Sequence, residues 1–250
     1  MVYHILNGDA LAYSFPEAKI DGQLIVIREG LIDGNLAGDR LPDFWKSRAT
    51  YLGISDREYQ QNVVAEFEKI RTAPEHAEFN LWFEYDLFCQ VNMWFVLSII
   101  NDLGIKKNVF AVYTTHVEGN NPQFWNGFGP ANSTELNYCF ANRISLDSFD
   151  LQLGKDLWSA YKNNNLEELN LLAGIPSAAF PYLKEVIKAH VDRNPMDGSP
   201  GRPEKIIAEI IQSGTKDFQH VFKEFWARES IYGFGDVQLK SIYDRVLENR

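Results

Sequence analysis

The sequence predicts an α/β protein, in which a doubly wound, mostly parallel sheet of about four or five strands is followed by an α-helical region and a small C-terminal helical unit. Short apolar runs recur in the first half of the chain, and such runs are typical of strands buried on both faces of a parallel sheet. Segments with apolar residues at helical spacing alternate with these runs, which favours parallel strands joined by helices. Beyond residue 148 the apolar spacing is helical only.

The predicted strands alternate with two helices that have clear signals. Ser55 and Glu58 form a capping box, and apolar residues follow at helical spacing, so a helix is predicted over residues 56–71. Asp86 begins a second helix, which is apolar on nearly every side, so we expect it to be central. This order of elements favours a Rossmann-like or flavodoxin-like sheet. The strands are predicted at residues 2–6, 24–27, 79–83 and 108–114.

The chain is predicted to contain three parts. An α/β domain covers residues 1–145, and a helical region over residues 146–195 is expected to pack on it. Residues 194–203 contain three prolines and two glycines, which is the composition of a linker, so a boundary is expected there. Three amphipathic segments then predict a small helical unit over residues 202–250. Residues 120–132 are rich in Gly, Asn and Pro yet carry aromatic side chains, which predicts an ordered loop that could act as a lid.

Composition argues against several classes of function. The chain has 24 Lys and Arg against 34 Asp and Glu, and its net charge of −10 repels phosphate backbones, so nucleic-acid binding is not expected. The longest apolar run, residues 93–100, is too short to span a bilayer, and the N-terminus lacks the pattern of a signal peptide, so we expect a cytoplasmic protein with no membrane partner. Cys89 and Cys139 form no Cys-x-x-Cys pair, so we expect buried thiols. The sequence predicts no metal site and assigns no cofactor.

Polar residues follow each predicted strand. In an open parallel sheet ligands bind outside the carboxyl ends of the strands, because loops and helix N-termini converge there. We therefore expect these residues to form one rim around a ligand. In chain order, the strand ends carry Asn7-Gly8-Asp9, Arg28-Glu29, Glu84-Tyr85-Asp86 with Gln90 one turn later, and Thr114-Thr115-His116.

The first two strand ends have both a functional and a structural interpretation. Gly8 would let the backbone pass close to an anion at the next helix N-terminus, with Asn7 and Asp9 beside it. Alternatively, Asp9 only caps that helix. Arg28 would bind an anionic group and Glu29 would act as a general base, or these side chains belong to internal ion pairs.

The remaining candidates lie on the third and fourth strand ends. Asp86 is the second candidate base and shares a helix face with Gln90, so the pair either binds a ligand or bonds to neighbouring loops. His116 is the histidine best placed to titrate near a ligand. His4 lies inside a strand and His190 on an apolar helix stripe, so both are expected to be structural histidines with satisfied ring nitrogens.

Three segments resemble one bacterial family. Residues 4–12 (HILNGDALA), 28–31 (REGL) and 81–90 (LWFEYDLFCQ) are similar to the family known as domain of unknown function 1835, and the similarity extends to residues 234–236. The resemblance implies an α/β fold with a winged-helix-like C-terminal segment, and it implies no activity, substrate or cofactor. Many members have Ser after the Gly-Asp pair, where this chain has Ala10, which weakens a hydrolase motif here.

Three functions are compatible with these residues. The first is binding of a small anionic or nucleotide-like ligand at the rim, with a hydrolytic or group-transfer step. The second is a regulatory module that senses a ligand and contacts DNA or a protein through its C-terminal unit; the tail has eight Lys or Arg against eight Asp or Glu from Arg202 onward, which disfavours DNA. In the third, the polar strand ends only satisfy one another.

Overall fold

The sheet of this α/β protein has five strands, and helices lie against it. The computed structural model describes residues 1–104, 108–114 and 127–248. The predicted fold class is confirmed, and the four predicted strands are present with shifts of one or two residues at their ends. The strands are β1 (Val2–Asn7), β2 (Gln23–Ile27), β3 (Glu78–Trp82), β4 (Asn108–Val112) and β5 (Ile144–Leu146).

The strand order places a switch point between β1 and β3, at the carboxyl edge of the sheet. Neighbouring strands follow the order β2-β1-β3-β4-β5, in which the first four are parallel and β5 runs antiparallel to β4. The chain leaves β1 toward β2 on one side, and then crosses to β3 and β4 on the other side. Connections of this kind diverge between β1 and β3, and ligands of such sheets bind outside the carboxyl ends at that switch point. We call the space outside the carboxyl ends of β1 and β3 the switch-point crevice.

Helices supply the rest of the regular secondary structure in the described residues, with a 3-10 turn after α1 and another before α12. The predicted helix after Ser55 is confirmed: the Ser55 side chain accepts the Glu58 N–H at 3.2 Å, and the helix continues through one π turn. The helices are α1 (Asp9–Ser14), α2 (Leu41–Leu52), α3 (Asp56–Tyr59), α4 (Ala65–Arg71), α5 (Leu87–Asp102), α6 (Ser133–Ala141), α7 (Ser148–Lys162), α8 (Leu166–Leu172), α9 (Leu183–Arg193), α10 (Arg202–Gln212), α11 (Phe218–Glu229) and α12 (Asp236–Glu248).

Helix α5 is the central element of the core, as predicted. Its residues from Cys89 to Ile100 are all buried, because the sheet covers one side and α7 packs closely on another. Gly154 of α7 makes this approach possible, since a Cβ atom there would lie 2.6 Å from Leu97. None of the described helices is long and apolar enough to cross a bilayer. The burial of α5 fixes the position of its N-terminus, which lies at the switch-point crevice.

The C-terminal unit consists of α10, α11 and α12, which confirms the three amphipathic helices. Among the described residues of this unit, 202–248, there is no strand. Within the unit, the Arg202 guanidinium at the start of α10 lies 2.8 Å from the buried Glu229 carboxylate at the end of α11. The unit packs against α9 and α5. Its likeness to a winged-helix unit and the proposed domain boundaries stay predictions.

Candidate ligand-binding site at the strand ends

Strand β1 ends at the crevice in a sharp turn. Gly8 has a φ of +93°, in the region that favours glycine, and its N–H bonds back to the Leu6 carbonyl at 3.1 Å. A Cβ atom at Gly8 would meet no other atom within 4 Å, so there is open space beside this turn. Helix α1 begins here without a side-chain cap, so no side chain satisfies its first N–H groups.

Asp9 and Arg28 form the outer wall of the crevice. The Arg28 Nε donates to both Asp9 carboxylate oxygens at 2.9 Å, and the two side chains stay 35% and 42% exposed. Arg28 also donates to the Asn62 carbonyl at 3.1 Å and lies 3.7 Å from Glu66. Asp9 therefore does not cap α1; it holds Arg28 at the mouth of the crevice, where the guanidinium is accessible to solvent.

Glu29 points away from solvent, into a buried ion pair. Its carboxylate accepts two hydrogen bonds from Arg48, at 2.8 and 3.1 Å, and both side chains are fully buried. It also accepts the Tyr59 hydroxyl, and the desolvated Tyr59 has a raised pKa. These partners saturate the carboxylate, so the geometry favours the internal ion pair that the sequence left open as the alternative to a general base.

Buried Asn92 connects the ends of β1 and β2. Its amide nitrogen donates to the Asn7 side-chain oxygen at 2.8 Å and to the Glu29 carbonyl at 2.6 Å, and its oxygen accepts the Leu31 N–H at 3.1 Å. Asn7 in turn donates to the Cys89 sulfur at 2.9 Å. Because every polar atom of Asn92 is used, Asn7 is held in one orientation at the base of the crevice.

Three titratable side chains meet on the β3 side, and we call Glu84, Asp86 and Cys89 the Glu84 cluster. One carboxylate oxygen of each acid and the thiol sulfur lie within 4.8 Å of one another. Asp86 caps α5, because its Oδ1 accepts the Cys89 N–H at 2.9 Å, and the Cys89 thiol lies 3.4 Å from Glu84. Asp86 and Cys89 are buried, whereas Glu84 keeps some exposure to solvent.

Burial disfavours the charged form of every member of this cluster. Burial, together with the charge of the neighbouring Glu84, raises the pKa of Asp86 to about 7, against the Cys89 N–H bond that lowers it. Burial likewise raises the pKa of Glu84, against the Phe128 N–H bond that lowers it, and it raises the pKa of the Cys89 thiol. Because the two carboxyl groups lie close together, ionisation of one disfavours ionisation of the other.

Two glycines let other segments close over the Glu84 cluster. A Cβ atom at Gly127 would clash with the Glu84 carboxylate, and the next residue, Phe128, donates its N–H to that carboxylate at 2.6 Å. A Cβ atom at Gly233 would clash with Asp86. The described end of the predicted lid therefore covers Glu84, and the C-terminal unit covers Asp86; the part of the lid up to residue 126 lies outside the described residues.

Carboxylate oxygens and a thiolate are ligands that a divalent cation such as Zn²⁺ accepts. Among the described residues, the Glu84 cluster is the group whose ligand atoms are close enough to hold a metal ion. A cation there would also remove the cost of ionising buried acids. The sequence predicted no metal site, because the cluster joins two strand-end acids to a helix cysteine in no recognised motif.

The other predicted residues have varied positions. Gln90 donates to the Glu84 carbonyl at 2.7 Å, so it bonds to the loop after β3, as one of its two interpretations expected. His116 lies outside the described residues. His4 is structural, since its Nδ1 accepts the Trp82 indole N–H at 3.1 Å and its Nε2 lies 3.2 Å from the Asp21 carbonyl. The two cysteines are buried, free thiols, as expected.

Comparison of the chain with family models, with curated proteins and with solved structures found no match. The resemblance to domain of unknown function 1835 therefore stays a prediction. The strand ends combine a pair of acids with raised pKa values, an open turn at Gly8 and an accessible arginine.

Proposed function

We propose that the switch-point crevice binds a small anionic or nucleotide-like ligand and that the protein is a hydrolase or group transferase. One observation carries this proposal: two carboxyl groups, the partly buried Glu84 and the buried Asp86, meet at the switch point of a parallel sheet. Perturbed acids in a strand-end crevice are a common feature of catalytic sites, because burial brings their pKa values close to neutral pH.

The β1 side suits the anionic group of such a ligand. The first turn of α1 has no side-chain cap for its backbone N–H groups, and the open space beside Gly8 admits a ligand atom close to the backbone. Arg28 adds a cation at the mouth of the crevice, and its ion pair with Asp9 orients the guanidinium. A phosphate or carboxylate in this position would lie across the crevice from the Glu84 cluster.

The β3 side suits proton transfer. Glu84, the partly exposed acid, would take a proton from a water molecule or an acceptor hydroxyl. The oxygen of that water or hydroxyl would at the same time bond to the electrophilic atom of the ligand. The carboxyl pair would then return a proton to the leaving group as its bond breaks. Asp86 touches no solvent, so we assign it the role of a positioning residue that shares the proton of Glu84 and caps α5.

A thermal-shift screen with nucleotides, sugar phosphates, acyl-CoA esters and divalent metal ions tests the proposal. A ligand that binds only the folded state raises its melting temperature. We expect at least one class to stabilise the wild type in a concentration-dependent way, and Asp9→Ala and Glu84→Gln to reduce that shift by more than half.

Asp147→Asn provides the matched control, because Asp147 is an exposed acid that caps α7 far along the chain. Its shift should equal that of the wild type. If the crevice variants respond as fully as this control, or if no compound class stabilises the protein, the proposed function is wrong.

A further inference from the structure

A large cleft lies where three parts of the chain meet, and its lining residues are distinct from those of the Glu84 cluster. Its volume is about 610 Å³, within the range of small-molecule sites. The loop after β2, the ends of α7 and α9, and helix α12 all contribute to its walls, which are more polar than apolar. Tyr51 and Phe234 supply aromatic surface, while Asp33, His190, Arg193 and Arg245 supply titratable groups.

His190 is the unusual residue of this cleft, and the expectation that its ring nitrogens are satisfied is wrong. The side chain is only 5% exposed, yet among the described residues neither Nδ1 nor Nε2 has a hydrogen-bond partner. Its ring packs against Tyr161, with 4.7 Å between the ring centres. Buried polar atoms without partners are rare and cost free energy, so a group that bonds to His190 would remove that cost.

The imidazole is suited to an oxyanion with hydrogen-bonding capacity. Burial and the nearby Arg193 lower the pKa of His190 to about 3, so the ring is neutral near pH 7. A neutral imidazole offers one N–H donor and one acceptor nitrogen. It can therefore donate to an oxygen of a carboxylate or phosphate and accept from a hydroxyl of the same molecule.

Arg193 lies on the same helix and adds the cation. Its Nη2 donates to the Ile32 carbonyl at 2.7 Å and to the Tyr161 hydroxyl at 3.2 Å, and its Nη1 lies 3.8 Å from Asp33. Its Nε is buried and has no partner in the part of the chain that the structure describes. The two terminal nitrogens of the guanidinium are thus held by neighbouring groups, while its buried Nε donor is left unpaired.

The balance of charge in the cleft favours an anion. The lining has three cations, Arg193, Arg245 and Lys162, against two acids, Asp33 and Glu204. The Arg245 side chain is 54% exposed. Arg245 is bonded to Ser241 at 3.3 Å and to Glu204 at 3.2 Å, so it stands at the mouth of the cleft.

We propose that this cleft is a second ligand site, which binds a small organic anion through His190, Arg193 and Arg245. The carboxylate or phosphate group of the ligand lies against the two deeper residues, and the organic part contacts the aromatic wall. The site does not depend on the crevice at β1 and β3, because no residue of the Glu84 cluster lines it.

Titration of the whole protein with inorganic phosphate, succinate and AMP tests this site by calorimetry, together with the imidazole NMR signals of His190. We expect saturable binding of at least one probe with a shift of the His190 signals, and the comparison of phosphate with succinate identifies the preferred group. His190→Phe and Arg245→Gln should weaken binding at least tenfold. In ligand-free buffer His190→Phe should melt no lower than the wild type, because the change removes two unsatisfied nitrogens and keeps an aromatic ring beside Tyr161.

His76→Gln and Arg228→Gln are the matched controls, since both residues are exposed and remote from the cleft lining. They should bind the probes as the wild type does. In Asp86→Asn the probes should still shift the His190 signals, which separates this site from the crevice. Absence of saturable binding for all three probes overturns the proposal, as does binding that both His190→Phe and Arg245→Gln retain in full.

Discussion

Asp86 serves two purposes with one carboxyl group. One oxygen accepts the Cys89 N–H and so caps the central helix, while burial next to Glu84 raises the pKa of the group to about 7. Asparagine is an equally good cap but does not titrate. Asp86→Asn therefore separates the contribution of the helix cap from that of the buried charge.

Asp86→Asn should change the pH dependence of stability. The pKa of Asp86 rises from 3.8 to about 7 on folding, so the folded state holds a proton that the unfolded state has lost, and the associated stability disappears as the pH rises through about 7. The variant lacks this loss. Relative to the wild type, its free energy of unfolding should rise by about 2 to 3 kcal/mol between pH 5 and pH 8.

Urea unfolding at the two pH values measures this difference. Asp147→Asn, at an exposed helix cap, should track the wild type at both values. Equal pH dependence in Asp86→Asn and in the wild type would mean that Asp86 is already ionised in the folded protein.

Arg48→Met should be strongly destabilising. The substitution removes the partner of Glu29 and leaves its carboxylate fully buried beside Tyr59, which costs about 3 to 5 kcal/mol for a buried pair broken on one side. The free energy of unfolding in urea measures the effect. Arg228→Met, in an exposed pair with Glu224, should cost about 1 kcal/mol or less; a similar loss at both positions would contradict the buried ion pair.

For single residues, the sequence predicted the positions of several candidate residues better than their contacts. Asn7 and Asp86 were expected at the crevice because they follow strands, and they lie there. The saturation of Glu29 was not predictable, since Arg48 gives no signal of burial on its own helix. Asn92 bonds to Asn7 across 85 positions of the chain, a contact that local periodicity does not contain.

Among the elements, the turn before α12 determines how the C-terminal unit meets the crevice. Gly233 has a φ of +64° and abuts Asp86, so the short segment between α11 and α12 forms the cover over the buried acid. Gly53, after α2, has nearly the same φ, +67°, but open space around it. The two glycines therefore have the same backbone conformation, but only Gly233 lies against another side chain.

Gly233→Ala should destabilise the protein more than Gly53→Ala does. Each change costs about 1 kcal/mol for a left-handed residue, and Gly233→Ala adds the displacement of Asp86, roughly another 1 to 3 kcal/mol by analogy with overpacked cores. Thermal unfolding of both variants measures the difference. Equal losses would show that the C-terminal turn does not press on the acid.

Several elements with strong local signals were predicted, and two elements with weak local signals were missed. Helix α5 combines a cap with a mostly apolar sequence, and the four parallel strands are short, mostly apolar runs. Strand β5 has three residues and pairs antiparallel at the sheet edge, too short for a periodic signal. Helix α2 starts after Arg40 with no side-chain cap, so the signal that marked the helix after Ser55 is absent there.

For the whole molecule, the sheet order explains why residues from separate segments meet. The switch between β1 and β3 brings the ends of two distant strands side by side, and the N-terminus of the central helix lies next to them. The order of strands could not be derived from the sequence, because buried parallel strands carry similar apolar runs whichever neighbour they pair with. The crevice is thus a property of the assembled fold.

The position of a bound ligand tests the account most directly. Crystals of the protein with the most stabilising compound of the thermal-shift screen should show that compound between the ends of β1 and β3, within hydrogen-bond distance of Glu84 or of the α1 N-terminus. Its absence from this crevice, with the compound bound elsewhere on the molecule, would contradict the assignment of Asn7, Glu84 and Asp86 to a functional site.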